Sequence, residues 1–277
     1  MSRSATTTPP KPASVAPLNS SKVRSLLDTY LDFLAATKQE IDASNPPYKP
    51  LPKIDSQRSN ERLHIMSRTA PIFHASNPAS PLAYTAKQTA LFLLDYQGFC
   101  LAYFDDKGAA VVRKAKIMRD WAFKQGIMVV HSVVDVSAQP PATCKGAERI
   151  KGMLEQVAQD KEAAEEAAEI AFAKRAGEYI VLKHPGVVSG LKSKGARELL
   201  EEHGIRNLIL CGISTSGAVL RTAVPATDDG FVVSVIEDAC ADRTAEVHEA
   251  VMKNLLPSRA HVATAEEFIK AWEDGQR

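Results

Sequence analysis

From Leu208 to Asp242 the chain reads as strand, tight turn, helix and strand, and this unit constrains what the remainder can build. The apolar run Leu208–Cys211 breaks at Gly212, small hydroxyl residues follow, and Ala218-Val219-Leu220 opens a helical pattern. A second apolar run, Phe231 to Ile236, stops at Glu237-Asp238. Strand, helix and strand at this spacing form the unit of a parallel sheet. Where a strand of such a sheet meets the next helix, free N–H groups and the helix dipole favour negative charge. Ser214-Thr215-Ser216-Gly217 occupies that point.

The same alternation extends in both directions. Gln88 to Leu94 is an apolar strand that ends on Asp95, which places a carboxylate at the sheet's carboxyl edge or, more simply, caps the following turn. A helix over Ala109 to Gln125 stops before Gly126, and Ile127 to Val136 is a second buried strand carrying His131, a residue type that in such a run is usually a satisfied core group. Glu178 to Leu182 delivers Lys183. Ser193 to His203 is a helix closed by Gly204. Arg243 to Leu255 is another, His261-Val262-Ala263 is a last strand, and Thr264 caps a final helix to Trp272. Connections this short fit right-handed crossovers, so a three-layer α/β/α domain is expected from about 86 to 277. Residues 151–176, rich in Ala, Glu and Lys, read as a solvated helix or lid over the site, or as an inert surface insertion.

Residues 1–85 read differently. The first 19 are Ser/Thr/Pro-rich and form an expected disordered tail. Lys22 to Thr37 repeats Leu26, Leu27, Tyr30, Leu31 and Phe33-Leu34 at helical spacing, an apolar face that needs the domain or a second subunit. Prolines then crowd an extended linker reaching about Ala86.

Charge and cysteine content exclude several classes. With 34 Lys and Arg against 33 Asp and Glu, there is no basic field to recruit nucleic acid or an anionic membrane. Cys100, Cys144, Cys211 and Cys240 are widely spaced, which argues against a disulfide framework or structural zinc and for a reducing compartment. No apolar run approaches the ~20 residues of a membrane helix. A cytoplasmic location is expected, although the hydroxyl-rich start leaves an organellar-targeting reading open. No metal site and no cofactor are expected from the histidine spacing.

Three separated motifs now carry a resemblance. Leu91-Phe92-Leu93-Leu94-Asp95-Tyr96-Gln97-Gly98-Phe99, Val181-Leu182-Lys183, and Cys211-Gly212-Ile213-Ser214-Thr215-Ser216-Gly217-Ala218-Val219 with Glu237-Asp238-Ala239-Cys240-Ala241-Asp242 resemble the isochorismatase-like hydrolase family, also called the cysteine hydrolase superfamily. The resemblance spans about 190 residues in the family's order. It implies a Rossmann-like fold with a six-stranded parallel sheet, and a site combining an aspartate, a lysine and a turn position, which map onto Asp95, Lys183 and Ala218. Gln97, Phe99, Ser214, Thr215 and Gly217 are the expected substrate-binding residues. The family further implies a non-proline cis peptide at the Ser214-Thr215 step, an oxyanion hole of turn amides, and a homo-oligomer.

One departure carries more weight than the match. Amidase members place a nucleophilic cysteine where this chain has Ala218, so the covalent acyl-enzyme route is closed there. Isochorismatases proper also lack that cysteine, because a vinyl ether needs a proton and water, not a nucleophilic side chain. The expected function is therefore hydrolysis of a small carboxylate or enol ether through Asp95 and Lys183. Two alternatives stand beside it: a catalytically inactive relative that binds a small anion or protein partner, and an amidase with a displaced cysteine, Cys240 being one candidate at the pocket rim. After Lys183, Pro185-Gly186-Val187-Val188 lacks the aromatic residue the family often shows, and Pro225 is expected to kink the helix after the turn.

Overall fold

The computed structural model describes residues 74–275. The expected tail, the Lys22–Thr37 helix and most of the linker lie outside the described residues. Single 3-10 turns at Pro81–Ala83 and Ala86–Gln88 precede the first strand. Ser80 is buried, and Asn207 Nδ2 donates to the Pro81 carbonyl at 3.4 Å, so packing on the domain begins before the expected boundary at Ala86.

Six strands form one parallel sheet: β1 (Thr89–Leu94), β2 (Met128–Val134), β3 (Glu178–Lys183), β4 (Asn207–Ile213), β5 (Val232–Ala241) and β6 (His261–Ala263). Their order is β3-β2-β1-β4-β5-β6. The chain winds outward from β1 to β3, then returns to β4 beside β1 and winds the other way. The crevice between the carboxyl ends of β1 and β4 is thus the switch point, where open α/β sheets bind ligands.

Strand side chains alternate between two cores. Leu91 and Leu93 face α2 (Asp105–Gln125) and the C-terminal helix (Ala265–Gly275), where Trp121 meets Phe268 and Trp272 edge-on at 5.7 and 5.6 Å. Phe92 and Leu94 face the opposite layer, with Leu200, Val219 and Ala223. Burying each such side chain is worth about 1.5–3 kcal/mol, which explains why β1 is apolar on both faces.

Two expectations need correction. The second strand of the central unit does not stop at Ile236: β5 continues to Ala241 after its register with β4 shifts between Leu210 and Gly212. This irregularity turns Cys240 into the core, and β5 delivers Asp242 and Arg243 at its carboxyl end. Nor are residues 151–176 a solvated helix. Helix α3 (Ala147–Val157) and the short α4 (Lys161–Ala164) lead into a segment without helix, in which Ile170 is fully buried. Among the described residues the remaining α-helices are α1 (Gly98–Leu101), α5 (Ala196–Glu202), α6 (Leu220–Asp228, running through Pro225), α7 (Ala245–Ala250) and α8 (Ala265–Gly275). No described helix is long and apolar enough to cross a membrane.

Candidate active site

Asp95 is the first residue beyond β1, in the left-handed region at φ 59° and 8% exposed. Its N–H donates to the Ser132 carbonyl of β2 at 3.0 Å. Lys183, at the end of β3 and 1% exposed, donates from Nζ to Asp95 Oδ2 and, at 3.2 Å, to the Val188 carbonyl. Oδ1 of Asp95 is buried with no hydrogen-bond partner among the described residues. Burial pushes the Asp95 pKa up by more than the neighbouring ammonium pulls it down, so the carboxyl keeps its proton above the usual carboxylate range.

The turn after β4 faces this pair. A non-proline cis peptide joins Ile213 to Ser214, one step before the expected position at Ser214-Thr215. A wide π-type turn then spans Thr215–Val219. A Cβ on Gly217 would lie 2.5 Å from Ser214 Oγ, so a larger residue there would have to turn that hydroxyl aside. Part of the expected oxyanion hole is already occupied. The Ser216 N–H donates to Asp242 Oδ2 at 2.6 Å, and the Gly217 and Val219 N–H groups donate to the Ser214 carbonyl at 3.1 and 3.3 Å. The Thr215 and Ala218 amides have no partner outside the turn among the described residues.

Asp95, Lys183, Ser214, Gly217 and Ala218 line one cavity of about 280 Å³. Phe99, Tyr103 and Phe104 form an aromatic wall from the side of β1, supplying what the residues after Lys183 lack. Arg149 of α3 and Arg243 after β5 bring two guanidiniums. Neither is paired with a carboxylate among the described residues, and Arg243 stacks over the Tyr103 ring at 4.8 Å. The cavity is therefore an apolar box with an acid–lysine pair at its base and an excess of positive charge, suited to a small anion.

Two expected binding residues are absent from it. Gln97 is 3% exposed and its carboxamide is fully engaged: Nε2 donates to the carbonyls of Val134 (3.1 Å) and Ala164 (2.8 Å), and Oε1 accepts from the Val134 N–H (2.7 Å). Thr215 is fully buried with Oγ1 2.8 Å from Nδ1 of His248. Cys240 is also away from the cavity, its thiol pushed up to about 12 by burial. Among the four cysteines only Cys100 lines the cavity, and burial together with the negative charge of Asp95 pushes its thiol up as well. Arg149 and Arg243 escaped the sequence reading. The signal for Arg243 was its place just past a strand's carboxyl end, hidden by the irregularity in β5.

A buried acid–lysine pair, a glycine-bearing turn and a cavity at the switch point of a parallel sheet define an α/β protein built around a small-ligand site. The chain belongs to the isochorismatase domain family, whose model matches residues 89–267, and the family includes hydrolases. It is 39% identical over 72 residues to an uncharacterized isochorismatase family protein of Escherichia coli O157:H7, covering 26% of this chain and 38% of that one. It is 29% identical over 100 residues to maleamate amidohydrolase of Pseudomonas putida, covering 36% and 46%. These matches span less than half the length of either relative. Among solved structures, an isochorismatase family protein from Burkholderia thailandensis superposes with a TM-score of 0.55 at 20% identity, over 68% of this chain and 96% of that one. N-carbamoylsarcosine amidase from Thermoplasma acidophilum gives 0.51 at 21%, over 65% and 97%. At such identities the structures establish the fold.

Proposed function

We propose that this chain hydrolyses a small carboxylate-bearing substrate, an enol ether in the first instance, without a covalent intermediate. The observation that carries the reading is the divided Asp95 carboxyl: Oδ2 is held by Lys183, while Oδ1 is buried without a partner in a residue of the cavity wall. Asp95 transfers its proton to the enol carbon, which leaves an oxocarbenium ion at the ether carbon. Water adds to that carbon and returns a proton to the Asp95 carboxylate. The resulting hemiketal collapses to a ketone and an alcohol, so no protein nucleophile is consumed and Ala218 suffices. Lys183 steadies the carboxylate that forms when the proton leaves. Arg149, Arg243 and the Ala218 amide at the cavity wall take substrate carboxylates.

An amidase with a displaced cysteine is less well supported. Only Cys100 lines the cavity among the four cysteines, and its surroundings keep it a thiol. The test is pyruvate release from isochorismate, with ammonia release from nicotinamide and maleamate as amide controls. Asp95→Asn and Lys183→Met should each abolish pyruvate release. Ammonia release that iodoacetamide abolishes would overturn the reading. The same reading includes a homo-oligomer, for which light scattering of the full chain and of a variant lacking residues 1–40 is the check.

A further inference from the structure

Outside the cavity the fold buries a charged cluster that this chemistry does not use. His131, fully buried on β2, directs Nδ1 at both oxygens of Glu166 (2.9 and 3.0 Å) and Nε2 at Oε1 of Glu178 (3.3 Å). The ring donates to both carboxylates only when it carries a proton on each nitrogen. The same carboxylates accept backbone N–H groups from one segment: Phe172 donates to Glu166 Oε2 at 3.1 Å, and Ala173 and Arg175 donate to Glu178 Oε2, each at 3.0 Å. Phe172 also stands edge-on to the imidazole at 5.7 Å.

The segment held in this way, residues 165–175, runs back along the residues that follow Asp95. The Ala167 N–H donates to the Tyr96 carbonyl (3.0 Å), the Gly98 N–H donates to the Glu165 carbonyl (2.9 Å), and Gln97 and Glu166 form an antiparallel bridge. Gly98 also packs against α4, which leads into this segment: a Cβ on Gly98 would lie 2.7 Å from the Glu162 carbonyl oxygen. Asp95 itself holds φ 59°, a conformation uncommon outside glycine, with its N–H tied to the Ser132 carbonyl.

We propose that Glu166, clamped by His131, is a positioning residue for the candidate acid: it seats residues 165–175 against Tyr96–Gly98 and fixes the loop that presents Asp95 to the cavity. The assignment rests on reading Asp95 as the acid. Glu166 touches the imidazole and not the cavity, so it acts through the loop. Its charge also reaches Asp95: burial chiefly raises that carboxyl's pKa, Lys183 opposes, and Glu166 adds to the rise.

The test uses the full chain carrying Glu166→Gln or, separately, Glu178→Gln, two isosteric changes on the same imidazole. Hydrogen exchange at Gly98 and a carbon-13 titration of the Asp95 carboxyl are read without substrate, so they stand apart from the outcome of the pyruvate assay. Glu166→Gln should speed Gly98 exchange about tenfold or more and move the Asp95 midpoint downward. Glu178→Gln should loosen Ala173 and Arg175 while leaving Gly98 and the Asp95 midpoint in place. With an active substrate in hand, Glu166→Gln should lower kcat with KM little changed. A folded Glu166→Gln protein with wild-type Gly98 exchange and an unmoved Asp95 midpoint would overturn the assignment. Equal responses in the two variants would also overturn it, since they would mean a merely structural cluster.

Discussion

Lys183 holds one oxygen of Asp95 and leaves the other without a partner, although both side chains are buried at the carboxyl edge of the sheet. The pair's energetics follow from this asymmetry. The native carboxyl has a raised pKa, so it contributes stability fully below the unfolded carboxylate range of about 3.9 and loses that contribution as pH rises through the native value. Lys183→Met removes the cation that compensates the ionised form. Its cost should be about 3–5 kcal/mol at pH above the native Asp95 midpoint and should shrink as pH falls and the carboxyl is protonated. The double variant Asp95→Asn/Lys183→Met buries no charge, so it should be inactive yet equal to or up to about 4 kcal/mol above the parent in stability. Chemical denaturation across pH 4–8 measures both.

Ala218 lines the same cavity as the acid, so a thiol placed there would meet a base within the site. Ala218→Cys should gain one iodoacetamide label per chain and slow, alkylation-sensitive release of ammonia from a primary amide. Cys211 and Cys240 should stay unlabelled in the native protein, since burial pushes both thiols up, Cys240 to about 12. Peptide mapping after alkylation locates the label, and an Ala218→Cys protein that takes up no label at that position would mean that the turn does not present it to the cavity.

Arg149 and Arg243 enter the cavity from different elements, so each should act on binding more than on chemistry. Replacing either by alanine should raise KM for a carboxylate substrate about 10–100-fold, with kcat within a few-fold. Methyl esterification of the substrate should erase the difference between parent and variant. A fall in kcat at constant KM would instead assign these arginines to the transition state.

The sequence exposed the parts of the site that lie at strand ends. Asp95 and Lys183 each follow an unbroken apolar run, and the Gly212–Ala218 turn is bounded by strand and helix signals, so topology alone brings them to one edge. Gln97 and Thr215 show where proximity in sequence fails. A polar residue beside a site can belong to the scaffold, and here a carboxamide pins β2 and a hydroxyl meets His248. Which of these occurs depends on where residue 164 or residue 248 returns in space, a long-range fact without a local signal. The core reading of His131 survives in kind, but one of its two glutamate partners, Glu166, comes from a segment whose composition resembles a surface helix, and the other, Glu178, opens β3.

Asp242 provides the sharpest test of how the turn is held. Its Oδ2 accepts from the Ser216 N–H at 2.6 Å and its Oδ1 from the Arg243 N–H at 2.9 Å, with the side chain buried. A carboxylate can satisfy both donors, whereas asparagine has one acceptor oxygen and must set its NH2 against one of the two N–H groups. Asp242→Asn therefore conserves shape and forces a donor to face a donor, at a cost of about 1–3 kcal/mol. If the conflict falls on Ser216, the turn relaxes and no longer sets the substrate squarely over Asp95, so kcat should fall while KM for the carboxylate substrate holds. If it falls on Arg243, KM should rise instead, because that guanidinium sits on the displaced residue. Steady-state kinetics of this one variant thus separates bracing of the turn from anchoring of the substrate, and unchanged values of both constants would remove Asp242 from the account of the site.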